Sequence, residues 1–445
     1  MYEHGPCGIS SVTQRSLLAE QPMHSRLAER PPLVEGARVV TASDADISEF
    51  RANLAVVNRY RRSFLTRLRH IAGRQLSIPL AISHGLRGIG RYGPGVRRQY
   101  GISLSEQFRC LSSDHLSYRI LPEKFYMYQL YVAENRKLRA RHFGFSEILP
   151  MQQYLIDVSR CEDFPWLQSK HRFAQRCSEI GLPSVPLLAE FAEGKMIVHP
   201  PGSNEREAVF PPVDLFSKPS EYWCGIGANL WLYKSAGRYV NALSGESHDQ
   251  ETLIEKLCAE SKSGRIVVQE KVSNHSSMAG SLTNGGLATV RLVTCRTPDG
   301  AVDFLPPAIR MPIGQAIVDN IAQGGLAAPV DLATGKICGP AIQKDKATGV
   351  TWFEKHPDTG FDLAGAQLPC WREVLDLAKQ AHAAFPSMPF VGWDIAILRD
   401  GPVVLEGNAW WDVDLTILPH RISLSDTQFI TYYNYHLKRA AAKAI

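Results

Sequence analysis

Apolar positions change their spacing part-way along the chain. From Asp46 to about Ile71, the residues Ile47, Phe50, Leu54, Val57 and Tyr60 recur three and four apart, the period of one helix face. Helical patterning resumes from Ser105 to about Arg141. Between them, residues 84–101 are rich in glycine and arginine and read as a loop. Residues 1–45 are polar and Pro-containing and read as a loose arm. After Pro150 the spacing shortens. Apolar runs of β type appear at Ser184–Glu190, Val213–Lys218, Arg265–Val272, Ala288–Cys295 and Ala301–Ile309, and a final pair closes the series. Helical stretches at Ser169–Ile180, Gln250–Ser261 and Trp371–Phe385 lie between them. The plan is α+β with mixed sheets, behind a mostly helical region over 1–145.

The final pair is Phe390–Leu398 and Gly401–Asn408, with Arg399 and Asp400 between. A three-residue turn with Gly401 in the left-handed region sets Leu398 opposite Pro402 and Asp394 opposite Glu406. Asn408 lies two positions further and points to the same face. A two-residue turn would slip the register by one and turn Glu406 away. In the first register two carboxylates and an amide oxygen converge, the oxygen-only set that Mg²⁺ takes beside phosphates. A solvated polar hairpin face is the plain alternative. The flanking residues are strongly apolar, and acids buried in such surroundings are paired or metal-bound.

Length and charge narrow the classes. A chain of 445 residues is long for one core and predicts two to four domains. No stretch offers ~20 uninterrupted apolar residues, so no transmembrane helix is expected. The N-terminus lacks the basic start and apolar run of a secretory signal. Nine scattered cysteines form no Cys-x-x-Cys pair, which predicts reduced thiols in a cytoplasmic setting and no zinc site. The net charge of +5 is uneven: residues 1–142 hold 22 Lys and Arg against 11 Asp and Glu, leaving −6 for the remainder. The basic part is nearly all arginine, including Arg59, Arg61, Arg62, Arg67, Arg69 and Arg74. It reads as a solvated helix face, or one paired with the acidic remainder. A phosphorylated substrate or an anionic membrane surface is the other reading. Aromatic residues do not interleave with these arginines, which argues against nucleic acid.

Four stations upstream carry candidate chemistry. Lys170 stands at a helix start, where the dipole disfavours a cation unless it reaches out to an anion; that helix stops at Gly181. Lys218 ends an apolar strand and precedes a loop with Gly225 and Gly227, where backbone N–H groups can approach phosphate. Glu270 ends another strand and runs into Lys271 and Val272. Arg291 and Arg310 sit in otherwise apolar strands and need a partner, either a triphosphate or an internal carboxylate. Asp319, Asn320, Gly324 and Gly325 follow in one short stretch.

In this order the stations resemble the ATP-grasp superfamily, and most closely its sugar-transfer-associated group, related to α-L-glutamate ligases. The resemblance covers about 150–425. It implies an ATP-grasp fold, with two α+β lobes clamping ATP and a small lid. The boundaries expected are a helical, Arg-rich region over 1–145, part of the N-terminal lobe over 146–210, a lid and nucleotide-binding subdomain over 211–285, and a C-terminal lobe with the metal site over 286–445. By the same resemblance Lys170 and Lys218 contact phosphate, and Gly225 and Gly227 belong to the lid. Glu270 takes the adenine amino group, with Lys271 and Val272 as hinge backbone. Asp394, Glu406 and Asn408 hold Mg²⁺. Arg310, Asn320 and Arg291 contact phosphate or acyl phosphate. Two departures stand out. The ribose carboxylate has no counterpart, since the loop Ser273–Ser281 offers only Asn, His and Ser. The arginine that relatives often carry two residues before the metal aspartate is here Gly392.

The resemblance implies an ATP- and Mg²⁺-dependent ligase that joins a small-molecule carboxylate to an amine or thiol through an acyl phosphate, in polysaccharide or secondary-metabolite assembly. Trp410, Trp411, Asp412 and Asp414 follow the hairpin and either line an acceptor pocket or, for the tryptophans, pack in the core. A small-molecule kinase making a stable phosphate ester, or a non-catalytic nucleotide-binding module, are the alternatives.

Overall fold

Among the described residues, fifteen strands gather into two sheets in which every pairing between named strands is antiparallel, where the sequence pattern predicts mixed sheets. The computed structural model describes residues 41–443 apart from 61–82, 84, 119, 137, 138, 142, 201–208 and 222–225. The first sheet takes β1 (Leu187–Ala192), β2 (Lys195–Val198), β3 (Leu215–Pro219), β4 (Asn229–Tyr233), β5 (Arg238–Asn241), β6 (Ser247–Asp249) and β7 (Ile266–Glu270), in the order β2-β1-β7-β3-β4-β5-β6. The second takes β8 (Thr289–Arg296), β9 (Val302–Phe304), β10 (Ala308–Met311), β11 (Leu326–Pro329), β12 (Ala341–Asp345), β13 (Gly349–Phe353), β14 (Phe390–Leu398) and β15 (Gly401–Asn408). Its order is β13-β12-β11-β10-β8-β14-β15, with β9 paired to β8. The run expected as one strand over Ala301–Ile309 is two, because Pro306 and Pro307 cannot donate to a ladder.

The second sheet separates two cores. On one face Val290, Leu292, Ile309, Met311, Leu326, Val391, Trp393 and Ile395 bury against helix Trp371–Ala383 and against Phe173 and Cys177 of helix Lys170–Ile180. The indole N–H of Trp393 donates to Thr294 Oγ1 at 2.8 Å, which removes the penalty for burying it. The helix bearing Phe173 ends, as predicted, at Gly181 with φ +67°, and Leu182 N donates to Cys177 O at 2.9 Å. On the opposite face Val293, Cys295, Ala327, Ile342, Val350, Trp352 and Phe390 pack under helix Asp44–Tyr60, helix Pro122–Met127 and helix Phe429–Lys443. Alternation along each strand means that this second face continues, at the other end of β8, β10, β14 and β15, into charged residues.

The Gly/Arg-rich stretch expected as a loop is a helix over 85–100. Several of its glycines serve packing rather than turning. A Cβ at Gly88 would lie 2.5 Å from Pro122 Cβ, and one at Gly95 would lie 2.4 Å from Ala347 O. Helix propensity disfavours glycine by about 1 kcal/mol per residue, a cost that close approach of neighbours can offset. The arm up to residue 40 lies outside the described residues, as do the side chains of Arg59, Arg61, Arg62, Arg67, Arg69 and Arg74. Some described cations of this region meet acids, Lys124 with Asp414, Arg139 with Asp114, and Arg141 with Asp44 and Asp426, while Arg136 donates to the carbonyls of Leu130 and Tyr131 and Arg51 lies over the Phe143 ring. No described helix is long and apolar enough to cross a membrane. Seven cysteines are described, all as free thiols.

Candidate active site

The hairpin reaches the expected facing pair by an unexpected route. The turn holds two residues, so Leu398 pairs with Gly401 rather than Pro402, and Gly401 takes φ +121°. Continued unbroken, that register would put Leu405 opposite Asp394 and turn Glu406 to the apolar face. A bulge intervenes: Ile395 faces Val404, Asp394 faces Glu406, and Leu405 is the extra residue. Asn408 sits opposite Gly392 on the same side. Its Nδ2 donates to Asp394 Oδ2 at 3.4 Å, to Glu406 Oε1 at 3.5 Å and to Gly392 O at 3.2 Å. A half-turn of the amide presents Oδ1 instead. The set is therefore two carboxylates and an amide within hydrogen-bond distance, a donor chemistry that fits Mg²⁺. Among the described residues no group of three or more His, Cys, Asp or Glu gathers for a metal.

Two buried arginines flank Asp394. Arg291 on β8 faces it across the sheet and donates from Nε to Oδ1 at 2.6 Å and from Nη2 to Oδ2 at 3.2 Å. Arg310 on β10 approaches Oδ2 with Nη2 at 3.1 Å and also lies 3.3 Å from Asp319 Oδ1. Of the two partners that the sequence left open, the structure supplies carboxylates. Burial alone would raise the Asp394 carboxyl, but Arg291 and then Arg310 outweigh it and hold it well below the usual carboxylate range. Burial pushes Asp319 up to about 6 against the opposing pull of Arg310. Thr289, opposite Arg310 in the β8–β10 ladder, links the two: its Oγ1 accepts from Arg310 Nε at 3.1 Å and Nη2 at 2.7 Å and donates to Asp319. Asp319 and Thr289 lie in the stretches that the sequence singles out, but the sequence assigns them no role at the site. Their signal was available: Asp319 adjoins Asn320, and Thr289 stands two before Arg291, on the same strand face.

The lysines arrive from the other sheet, which carries Lys218, and from the start of a helix, which carries Lys170. Ser220, just past β3, accepts at its carbonyl from Lys170 N at 3.1 Å and from Lys170 Nζ at 3.5 Å, and its Oγ meets His171 Nδ1 at 2.9 Å. This pins the start of helix Lys170–Ile180 beside the end of β3, which carries Lys218. Burial pushes the Lys218 ammonium down to about 8, with Glu406 and Asp394 opposing and Lys170 assisting. Lys218, Lys170, Glu406 and Asp394 thus share one electrostatic neighbourhood. Glu270, exposed, ends β7. Lys271 is tied to Asp214, N to O at 2.8 Å and Nζ to Oδ2 at 3.5 Å, and Val272 follows half-buried. Asn274 then joins the two sheets: Nδ2 donates to Ala288 O at 2.8 Å, and its side-chain oxygen accepts from Ala288 N at 2.7 Å.

A sequence model of the sugar-transfer associated ATP-grasp family matches residues 151–428, more than half of the chain. The chain belongs to that family. Among solved structures, D-alanine–D-alanine ligase from Bacillus anthracis is similar at 11% identity and TM-score 0.35, over 62% of this chain and 69% of that one. L-amino acid ligase from Bacillus licheniformis is similar at 13% identity and TM-score 0.33, over 62% of this chain and 48% of that one. D-alanyl-alanine synthetase A from Vibrio cholerae is similar at 9% identity and TM-score 0.36, over 61% of this chain and 66% of that one. Likeness this distant says nothing about substrate. No curated protein matches the chain.

Not every expected residue of this ATP-grasp chain joins the cluster. Asn320 caps the short helix Ile321–Gln323, its Oδ1 accepting from Ala322 N at 2.8 Å. Gly225 lies outside the described residues, while Gly227 is exposed beyond β3. Trp411 is fully buried, 5.5 Å centroid to centroid from Phe429, so it belongs to the core. Gly392 explains why no arginine stands two before Asp394: a Cβ there would lie 2.5 Å from Trp411 Cβ. Trp410 is half-buried, 5.2 Å from Phe164. Asp414 is held by Lys124 and by Tyr128 Oη at 2.6 Å, and Asp412 Oδ2 lies 3.9 Å from Lys344.

Proposed function

We propose that the chain is an ATP- and Mg²⁺-dependent ligase that activates a small-molecule carboxylate as an acyl phosphate and joins it to an amine or thiol. One observation carries the reading. Buried Arg291 and Arg310 share a strand face with the oxygen donors Asp394, Glu406 and Asn408. Fixed cations beside a divalent-metal ligand set suit phosphoryl transfer, where catalysis is positioning and charge neutralisation.

Each residue then has a task. Asp394, Glu406 and Asn408 would hold Mg²⁺, which when bound neutralises the phosphates. Lys218, from the end of β3, and Lys170, from the start of its helix, face the same neighbourhood and would meet phosphate oxygens. Glu270, Lys271 and Val272 would take the adenine edge, with Asp214 fixing the Lys271 backbone. Gly225 and Gly227 would belong to a lid that excludes water, because an acyl phosphate hydrolyses readily. Arg310 and Arg291 would neutralise the transferring group, and Asn320, at the edge of the cluster, would contact the acyl phosphate.

The test is a screen of amino acids and sugar acids for substrate-dependent ADP release, with hydroxylamine added and products read by mass spectrometry. A hydroxamate formed in step with ADP is the expected result. A persistent phosphorylated product would instead make the enzyme a kinase and refute the ligase.

A further inference from the structure

Asp394 carries more guanidinium than a metal ligand should in an open site. Arg291 occupies Oδ1 at 2.6 Å and Oδ2 at 3.2 Å, and Arg310 adds a third contact to Oδ2 at 3.1 Å. Asn408 Nδ2 lies 3.4 Å from the same oxygen. The residue is 2% exposed, so solvent does little to screen a cation from these charges. A metal arriving alone would meet two fixed guanidiniums at hydrogen-bond distance.

The two arginines are not equivalent. Arg310 has a second partner: Asp319 Oδ1 is 3.3 Å from the same Nη2, and Thr289 Oγ1 bridges the pair. If Asp394 turns to a metal, Arg310 still has a carboxylate. Among the described residues Asp394 is the only carboxylate paired with Arg291. A buried guanidinium left without a partner is costly, so its release requires another anion. A polyphosphate is that anion in the reading above.

We propose that metal and nucleotide enter this site by partner exchange: Asp394 passes from guanidinium to metal as the phosphates take Arg291, while Asp319 acts as a positioning residue that keeps Arg310 in place. The inference rests on the Mg²⁺·ATP reading. It makes the empty site resist metal, and it makes occupancy by metal and by polyphosphate mutually dependent, as linkage requires.

The experiment uses the full chain without nucleotide and measures Mn²⁺ binding from the loss of its free electron paramagnetic resonance signal. The unaltered protein binds Mn²⁺ poorly. Arg291→Met unlocks Asp394 and tightens metal-alone binding by about tenfold or more, within the usual range of coupling between sites. Arg310→Met does the same while leaving the Arg291–Asp394 pair intact, so the result does not depend on one variant folding. Asp319→Asn moves the other way, because the charge of Arg310 then falls wholly on Asp394. Circular dichroism confirms the fold of each. Unchanged Mn²⁺ affinity in both arginine variants overturns the exchange. A separate arm adds Glu406→Gln to Arg310→Met. Loss of the gained binding supports the site, and its persistence shows that the ion sits elsewhere, which overturns the metal assignment itself.

Discussion

Arg291 and Asp394 face one another across β8 and β14, and the arginine reaches both carboxylate oxygens, at 2.6 Å through Nε and 3.2 Å through Nη2. Both residues are buried. Asp394→Ala takes from Arg291 its one described carboxylate partner, and breaking a buried pair by removing one member costs about 3–5 kcal/mol. Urea denaturation is the measurement. A loss below about 1 kcal/mol is what an exposed pair would give and would refute the burial argument.

Glu406 stands directly opposite yet is half-buried, and it carries no ion pair among the described residues. Glu406→Ala is expected to leave the denaturation midpoint close to that of the parent while ADP release falls to background. Full turnover in this variant would remove Glu406 from the site.

The hairpin was legible in outline and misread in detail. Apolar alternation found both strands and placed Asp394, Glu406 and Asn408 on one face, because one slipped residue would bury an acid. It could not see the Leu405 bulge, since an extra residue leaves no mark on a pattern read one strand at a time. The helix over 85–100 was missed for a related reason. Glycine signals a turn by propensity, and only the neighbours Pro122 and Ala347 reveal that it signals close packing there. Asp319 was named without a role because its meaning depends on Arg310, nine residues away in sequence and 3.3 Å away in space.

Lys218 supplies a pH signature. Burial lowers its ammonium to about 8, beneath the ordinary 10.5. As pH rises through that value the site loses a positive charge, so the KM for ATP is expected to rise between pH 7 and 9. Lys218→Arg keeps its charge over this range and should flatten the profile. An unchanged slope in the variant assigns the titration to another group. Stability runs in the opposite sense. The native state sheds this proton before the unfolded chain does, so this group's contribution to stability grows as pH climbs from about 8 towards 10.5.

His382 gives an acid limit. Its Nδ1 lies 2.6 Å from Thr294 Oγ1 and its Nε2 lies 2.9 Å from Met388 O, and burial lowers it to about 4 from 6.5. The unfolded chain then binds a proton that the native state refuses, so stability is full above pH 6.5 and drains away as pH falls towards 4. Thermal melts across that window should show a shallower slope for His382→Gln than for the parent. Equal slopes would assign the acid sensitivity to other residues.

Gly392 is expected to tolerate no side chain. A Cβ would sit 2.5 Å from that of Trp411, and overpacking of this kind costs about 1–3 kcal/mol. Gly392→Ala should lower the melting temperature, whereas an unchanged value would mean that the loop carrying Trp411 moves aside freely.

The bulge at Leu405 makes the face of the ligand set a matter of parity. Residues 399–405 number seven between Leu398 and Glu406, shared as two in the turn, four in the ladder and one surplus. Deleting Leu405 would make the ladder regular and keep Glu406 opposite Asp394, whereas drawing Leu405 into an unbulged ladder would send Glu406 and Asn408 into the apolar core. The surplus residue can therefore lie in the ladder or in the turn, so chains of equal length in this segment can differ in where it lies and still present the same three side chains.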